Sequence, residues 1–181
     1  MADKIFRLES LFVADGFARQ SECDRPEFDT AASTIQAWHV SVELTGTWKL
    51  LAWRRIAGDG TVTYPLGADA SGLLVYTANG RMAVQMAAAD RPSLTSDDPP
   101  LGGEVQQRAQ AYSTCLAYVG SYELRGDTVV HRIEESLYPN WSGAEQVRPF
   151  TYDGTKLVLR TPPVDGPNGP MVNEMSWTRE A

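Results

Sequence analysis

From Gly46 onward the chain predicts an all-β fold: a closed antiparallel barrel of eight to ten strands. Three observations predict it. Short runs rich in Val, Leu, Tyr and Trp recur about every ten residues between Gly, Asn, Asp and Pro signals. Within the runs apolar and polar residues alternate, as they do when one face of a sheet is buried. About nine such strands with one buried face leave edges open to aggregation unless the sheet closes on itself.

The 181 residues suit one domain with an appendage, which we divide at 1–42 and 43–181. The apolar fraction of 43% is high enough for a packed core. A formal charge of −7, from 16 basic and 23 acidic residues, speaks against a partner read through its phosphate backbone. Asp3, Arg7 and Glu9 interrupt the opening residues before a signal-peptide core forms. The apolar stretches around Leu73–Tyr76 and Met82–Ala89 fall far short of a membrane span. The expectation is therefore a cytoplasmic protein with neither nucleic acid nor membrane as partner. Two cysteines, Cys23 and Cys115, and two histidines, His39 and His131, give no zinc spacing, and a disulfide is not expected in that compartment.

Taken in order, Ile5, Leu8 and Phe12 recur at helical spacing over 4–18, residues 21–30 read as a polar loop, and Thr30–Trp38 reads as a second short helix. This helical arm packs on its own barrel or on a sister subunit, giving a homo-oligomer; the alternative is a lid over a pocket mouth. Strands follow near 47–56, 61–65, 72–77, 81–87, 118–124, 128–138, 145–152, 156–161 and 171–179. Asn79-Gly80 is the strongest hairpin signal, and as a two-residue turn it sets Thr77 opposite Met82, Val75 opposite Val84 and Leu73 opposite Met86. Residues 88–103 form a Pro/Gly-rich loop, long enough to be functional. Glu104–Tyr118 then reads as one helix between strands, with Val105, Ala109, Tyr112 and Leu116 on one stripe, able to cover an open end of the barrel.

Gly46-Thr47-Trp48 opens the first barrel strand, and Trp177-Thr178-Arg179 ends the last. The pair resembles the Gly-x-Trp and C-terminal arginine of lipocalins, in which the arginine packs across the tryptophan at the closed end. With the segments GTWKLLAWRR, DGTVTYPLGADASGLLVYTANGRMAVQM, YVGSYELRGDTVVHRIEESLYPNWSG, QVRPF, LVLRTPP and MSWTR, residues from about 44 to 180 resemble the bacterial and fungal lipocalin-like domain family. The resemblance implies a calycin-type barrel with a ligand cavity, and no particular reaction.

The strand at 128–138 carries the candidate chemistry. Its more apolar face holds Val129, His131, Ile133, Glu135 and Leu137, which puts His131 and Glu135 in an oily cavity, roughly 13 Å apart. Burial raises a carboxyl pKa and lowers an imidazole's, so the two suit acid/base work near neutral pH. Against this stand a core histidine satisfied by its neighbours and a bulge that turns Glu135 outward. Val75, Val84, Met86, Ile133, Leu137 and Met175 line the expected pocket. Tyr64 and Tyr76 offer phenols, Arg148 and Asn173 offer polar contacts, and Asn140 and Trp141 sit in the turn after the strand. There is no phosphate loop, nucleophile elbow or cofactor fingerprint, so no cofactor is expected. Two functions follow. One is a cofactor-free lyase, isomerase or cyclase acting on an aromatic, polyketide-like or terpenoid molecule. The other is a non-catalytic intracellular carrier of such a molecule. An interaction module using the outer face or the 1–42 arm is third.

Overall fold

Strands β1 (Gly46–Ile56) and β9 (Val172–Arg179) pair antiparallel from Trp48↔Arg179 to Ile56↔Val172, and this pairing closes the sheet into a barrel. The computed structural model describes residues 43–94, 102–167 and 169–180. The predicted arm over 1–42, its two helices, Cys23, His39 and the middle of the 88–103 loop lie outside the described residues or partly so.

Between the closing strands run β2 (Val62–Thr63), β3 (Ser71–Tyr76), β4 (Arg81–Ala87), β5 (Cys115–Arg125), β6 (Thr128–Ser136), β7 (Glu145–Tyr152) and β8 (Lys156–Arg160). Each of β3 to β8 pairs with the next, and β1 pairs with both β3 and β9, so eight strands among the described residues form the ring; β2 only flanks the end of β1. Strand β1 pairs with β3 along one edge and with β9 along the other, and its register with β9 shifts between Leu50 and Ala52. Such an irregularity bends a strand around a barrel corner.

The up-and-down order fixes two ends. Trp48, Tyr76, Met82, Leu157 and Trp177 are buried toward one of them. There the Arg179 guanidinium lies 4.4 Å from the Trp48 ring, and Trp48 Nε1 donates to the Leu44 carbonyl at 2.9 Å. Tyr152 meets Trp48 edge-on. At the other end lie the finish of β1, β4, β6 and β8 and the start of β5, β7 and β9.

Three local expectations are corrected. The β3–β4 loop has three residues, not two: the Thr77 N–H donates to the Arg81 carbonyl and Gly80 takes φ +77°. A turn closed by a left-handed Gly has this length. The pairs are therefore Leu74↔Val84 and Tyr76↔Met82, which turns Leu74 and Tyr76 inward and Leu73 and Val75 outward. On β6 the pairing jumps from Val119↔Glu135 to Gly120↔Ile133, so Glu134 is an extra residue. Val129, His131 and Ile133 face inward, whereas Glu135 and Leu137 are exposed. Finally, the helix α1 (Val105–Ser113) stops early: the Thr114 hydroxyl and N–H return to the Gln110 carbonyl, and Cys115 already pairs with Ala87. Leu116 thus belongs to a strand, and no residue of the expected apolar stripe within α1 is buried.

Candidate functional site

The open end of the barrel holds a cavity of about 460 Å³. Strand ends and their connections wall it: Trp53 and Arg55 from β1, Met86 from β4, Leu116 and Tyr118 from β5, Gln146 and Arg148 from β7, and Asn173 and Met175 from β9. Trp141 follows β6 on a 3-10 turn (Pro139–Trp141), and Thr161, Pro162 and Val164 follow β8. The volume is in the range of ~300–1,000 Å³ usual for small-molecule sites, and apolar and aromatic groups dominate the wall. Trp141 stands edge-on to Tyr118, with ring centroids 5.8 Å apart, which fixes the indole at the side of the cavity. Asn173 Oδ1 accepts from Trp53 Nε1 at 3.0 Å and from Arg55 Nε at 3.3 Å, tying three wall residues together.

Beneath the cavity floor lies a polar layer. His131, 1% exposed, is held on both ring nitrogens: Tyr76 Oη lies 2.6 Å from Nε2 and Tyr118 Oη 3.0 Å from Nδ1. Burial, and after it the charge of Arg148, push the His131 pKa down from 6.5 to about 3. The imidazole is therefore neutral at neutral pH, with one N–H and one acceptor nitrogen. Burial also raises the phenol of Tyr76 well above its usual range; it raises that of Tyr118 as well, though Arg148 opposes the rise.

Hydrogen accounting selects one arrangement. Tyr76 is buried and its hydroxyl meets only His131 among the described residues, so its proton has no other acceptor. Tyr76 then donates to Nε2, and the Nδ1–H donates to the Tyr118 oxygen. Tyr118, which lines the cavity, keeps its own O–H for an acceptor on the cavity side. The chain Tyr76–His131–Tyr118 thus ends in a phenol presented to whatever occupies the cavity.

Arg179 over Trp48, beside Gly46 at φ +137°, is the arrangement that the resemblance to lipocalins implies for the closed end. A model of the lipocalin-like domain matches residues 45–179. The chain belongs to the lipocalin-like domain family. Among solved structures it is similar to an uncharacterized protein from Bacteroides eggerthii DSM 20697, at 11% identity and a TM-score of 0.38, over 76% of this chain and 100% of that one. No curated protein matches. A lipocalin-like barrel suggests small-molecule binding. No helix among the described residues is long and apolar enough to cross a membrane, and among them no three His, Cys, Asp or Glu side chains gather as a metal site.

Within this lipocalin-like barrel the sequence-predicted residues separate. Met86, Trp141, Arg148, Asn173 and Met175 line the cavity. Val84, Ile133, Tyr76 and His131 are buried below it. Glu135, turned out by the β6 irregularity, shares no site with His131. Val75 borders a groove on the outer face of β3 and β4, a consequence of the three-residue turn. Leu137 borders a neighbouring pocket with Tyr112 and Tyr138, Tyr64 is exposed after β2, and Asn140 is exposed with its amide on the Tyr138 hydroxyl. Sequence reasoning missed Tyr118, Trp53, Leu116 and Gln146. Tyr118 was within reach, since Leu116, Tyr118 and Gly120 alternate on the inward face of β5, but a helix extended to 118 hid that period.

Proposed function

We propose that the barrel binds a small, mostly apolar organic molecule in the cavity at its open end. The observation that carries this reading is a cavity of about 460 Å³ walled by Trp53, Met86, Leu116, Trp141 and Met175, with a few polar groups, Tyr118, Arg148 and Asn173 among them, set in that apolar wall. Pockets of that composition bind by apolar burial and orient by their polar contacts. The test is titration with a neutral apolar fluorophore, N-phenyl-1-naphthylamine. A saturable one-to-one signal that disappears in the cavity-filling variant Met175→Trp, with the fold retained, supports the reading. A signal that never saturates, or that the filled barrel reproduces, sinks it.

Cofactor-free acid/base turnover in the same cavity is the second reading, favoured by the hydrogen-bonded chain that ends in Tyr118. In this reading Tyr118 meets the substrate oxygen, and His131 acts behind it as a positioning residue. Mass spectrometry of a candidate substrate incubated with the protein tests it. A new product that is lost in Tyr118→Phe favours the enzyme, and unaltered bound molecule favours the carrier.

A further inference from the structure

Among the described residues two buried side chains of the barrel wall carry a formal charge, and their surroundings differ. Glu174 is met by the guanidinium groups of both Arg54 and Arg160. Arg148, 5% exposed, is met by no carboxylate among the described residues. Its Nη1 donates to the Val147 carbonyl at 3.0 Å and its Nη2 to Gln146 Oε1 at 2.9 Å, both neutral and both on β7 itself. Its Nε, sealed from solvent, finds no acceptor among the described residues. These contacts hold the fork in place and leave its charge uncompensated. A buried charge without a counter-charge is costly, and proteins that retain one usually have a partner for it. The side chain lines the cavity, next to Tyr118, whose O–H has no acceptor within the polar layer.

We infer that the ligand is an apolar organic acid bound as its anion, its charged oxygens set against the Arg148 guanidinium with the Tyr118 hydroxyl as second donor. This rests on the reading that the cavity binds a small apolar molecule, and it adds the sign of the ligand's charge. Guanidinium and carboxylate match as fork and fork, and such charge-assisted bonds exceed neutral ones in strength. The rest of the wall, with Trp53, Trp141, Leu116 and Met175, suits an aromatic or branched apolar body.

The experiment compares three probes of one shape by quenching of tryptophan fluorescence: 2-naphthoate, its methyl ester, and 2-naphthylmethylamine. Naphthoate is expected to bind roughly tenfold more tightly than the ester, as a charge-assisted bond warrants, with the cationic amine weakest. Arg148→Gln is expected to bring naphthoate down to the level of the ester and to weaken the ester far less. The wild-type comparison needs no variant, so it stands even where Arg148→Gln folds poorly; Arg148→Lys, which keeps the charge, is then expected to preserve the order of the probes. Equal affinity for acid and ester, or an equal loss of both in Arg148→Gln, overturns the inference. Absence of naphthoate binding while N-phenyl-1-naphthylamine still saturates overturns it too and leaves the apolar-ligand reading intact. Failure of every probe overturns both.

Discussion

Tyr76 and His131, 55 residues apart in the chain, share a hydrogen bond of 2.6 Å between the phenol oxygen and Nε2, sealed from solvent under the cavity. A buried acceptor nitrogen that loses its donor bears the desolvation cost alone. Tyr76→Phe is therefore expected to lower stability by about 1–3 kcal/mol. It is expected to leave affinity for an apolar carboxylate nearly unchanged, because Tyr76 does not line the cavity. Tyr118→Phe removes a comparable bond and also a cavity donor, so it is expected to weaken both stability and binding. Urea unfolding and probe titration on the two variants check this; equal binding losses would count against the proton arrangement drawn here.

The same layer makes folding sensitive to acid. His131 titrates near 6.5 in the unfolded chain and at about 3 when folded, because burial disfavours the imidazolium. Between those values the unfolded chain binds a proton that the folded chain refuses, so stability is full above pH 6.5 and falls as the pH drops toward 3. From pH 6.5 to about pH 5 the expected loss is about 2 kcal/mol. Urea midpoints measured across that window in the wild type and in His131→Gln isolate the contribution. A slope that survives the substitution means that another group causes it.

Gly120 sits at the irregularity that turns Glu135 outward. A Cβ built there would lie 1.9 Å from the Arg132 carbonyl oxygen, across the β5–β6 pairing, where backbone cannot yield cheaply. Gly120→Ala is expected to cost about 3 kcal/mol or more, beyond the usual range for overpacking by one methyl. Glu135→Gln, on an exposed side chain a few residues away in the pairing, is expected to change stability and probe affinity by under about 0.5 kcal/mol. Thermal unfolding of the two variants compares them directly. A stable Gly120→Ala would mean that the strands pair differently from the register described.

The barrel was legible because its signal is repeated: alternation in strand after strand, turn residues between them, and a Gly-x-Trp start matched by a C-terminal arginine. Errors in single elements cancel in such an inference. The site depended on two registers, and each was decided by one residue. Gly80 made the β3–β4 loop one residue longer than Asn-Gly alone suggests and exchanged Val75 for Leu74 on the inner face. Glu134 is one residue too many opposite Val119 and Gly120, which kept His131 inside and put Glu135 out. Because side chains alternate with period two, each slip moved residues to the opposite face. Gly120 in mid-strand was the readable mark of the second irregularity, since Gly inside a strand often signals a bulge or a close approach.

Arg179 ties the two ends of the barrel sequence together, and its replacement separates stability from binding. Its guanidinium covers the Trp48 ring at 4.4 Å and donates through Nη1 to the Thr45 carbonyl and through Nη2 to the Glu43 carbonyl at 3.0 Å. Gly46 makes room for it: a Cβ at that position would lie 2.7 Å from Nη1, and φ +137° is a conformation that L side chains rarely adopt. The opening Gly-x-Trp is thus a cradle for this one side chain, the glycine admitting the guanidinium and the indole supporting it. Arg179→Gln loses the cation–π contact and the charged donors to two carbonyls, and is expected to destabilise the protein by about 1–3 kcal/mol. The cavity lies at the opposite end of the barrel and includes none of these residues. Under conditions where the variant remains folded, its affinity for an apolar carboxylate is expected to stay within about twofold of wild type, as for distant, independent sites. Urea unfolding and tryptophan quenching on one preparation measure both quantities. A large affinity loss in folded Arg179→Gln would show that the plug and the cavity are mechanically coupled along β1 and β9, the two strands that run from one to the other.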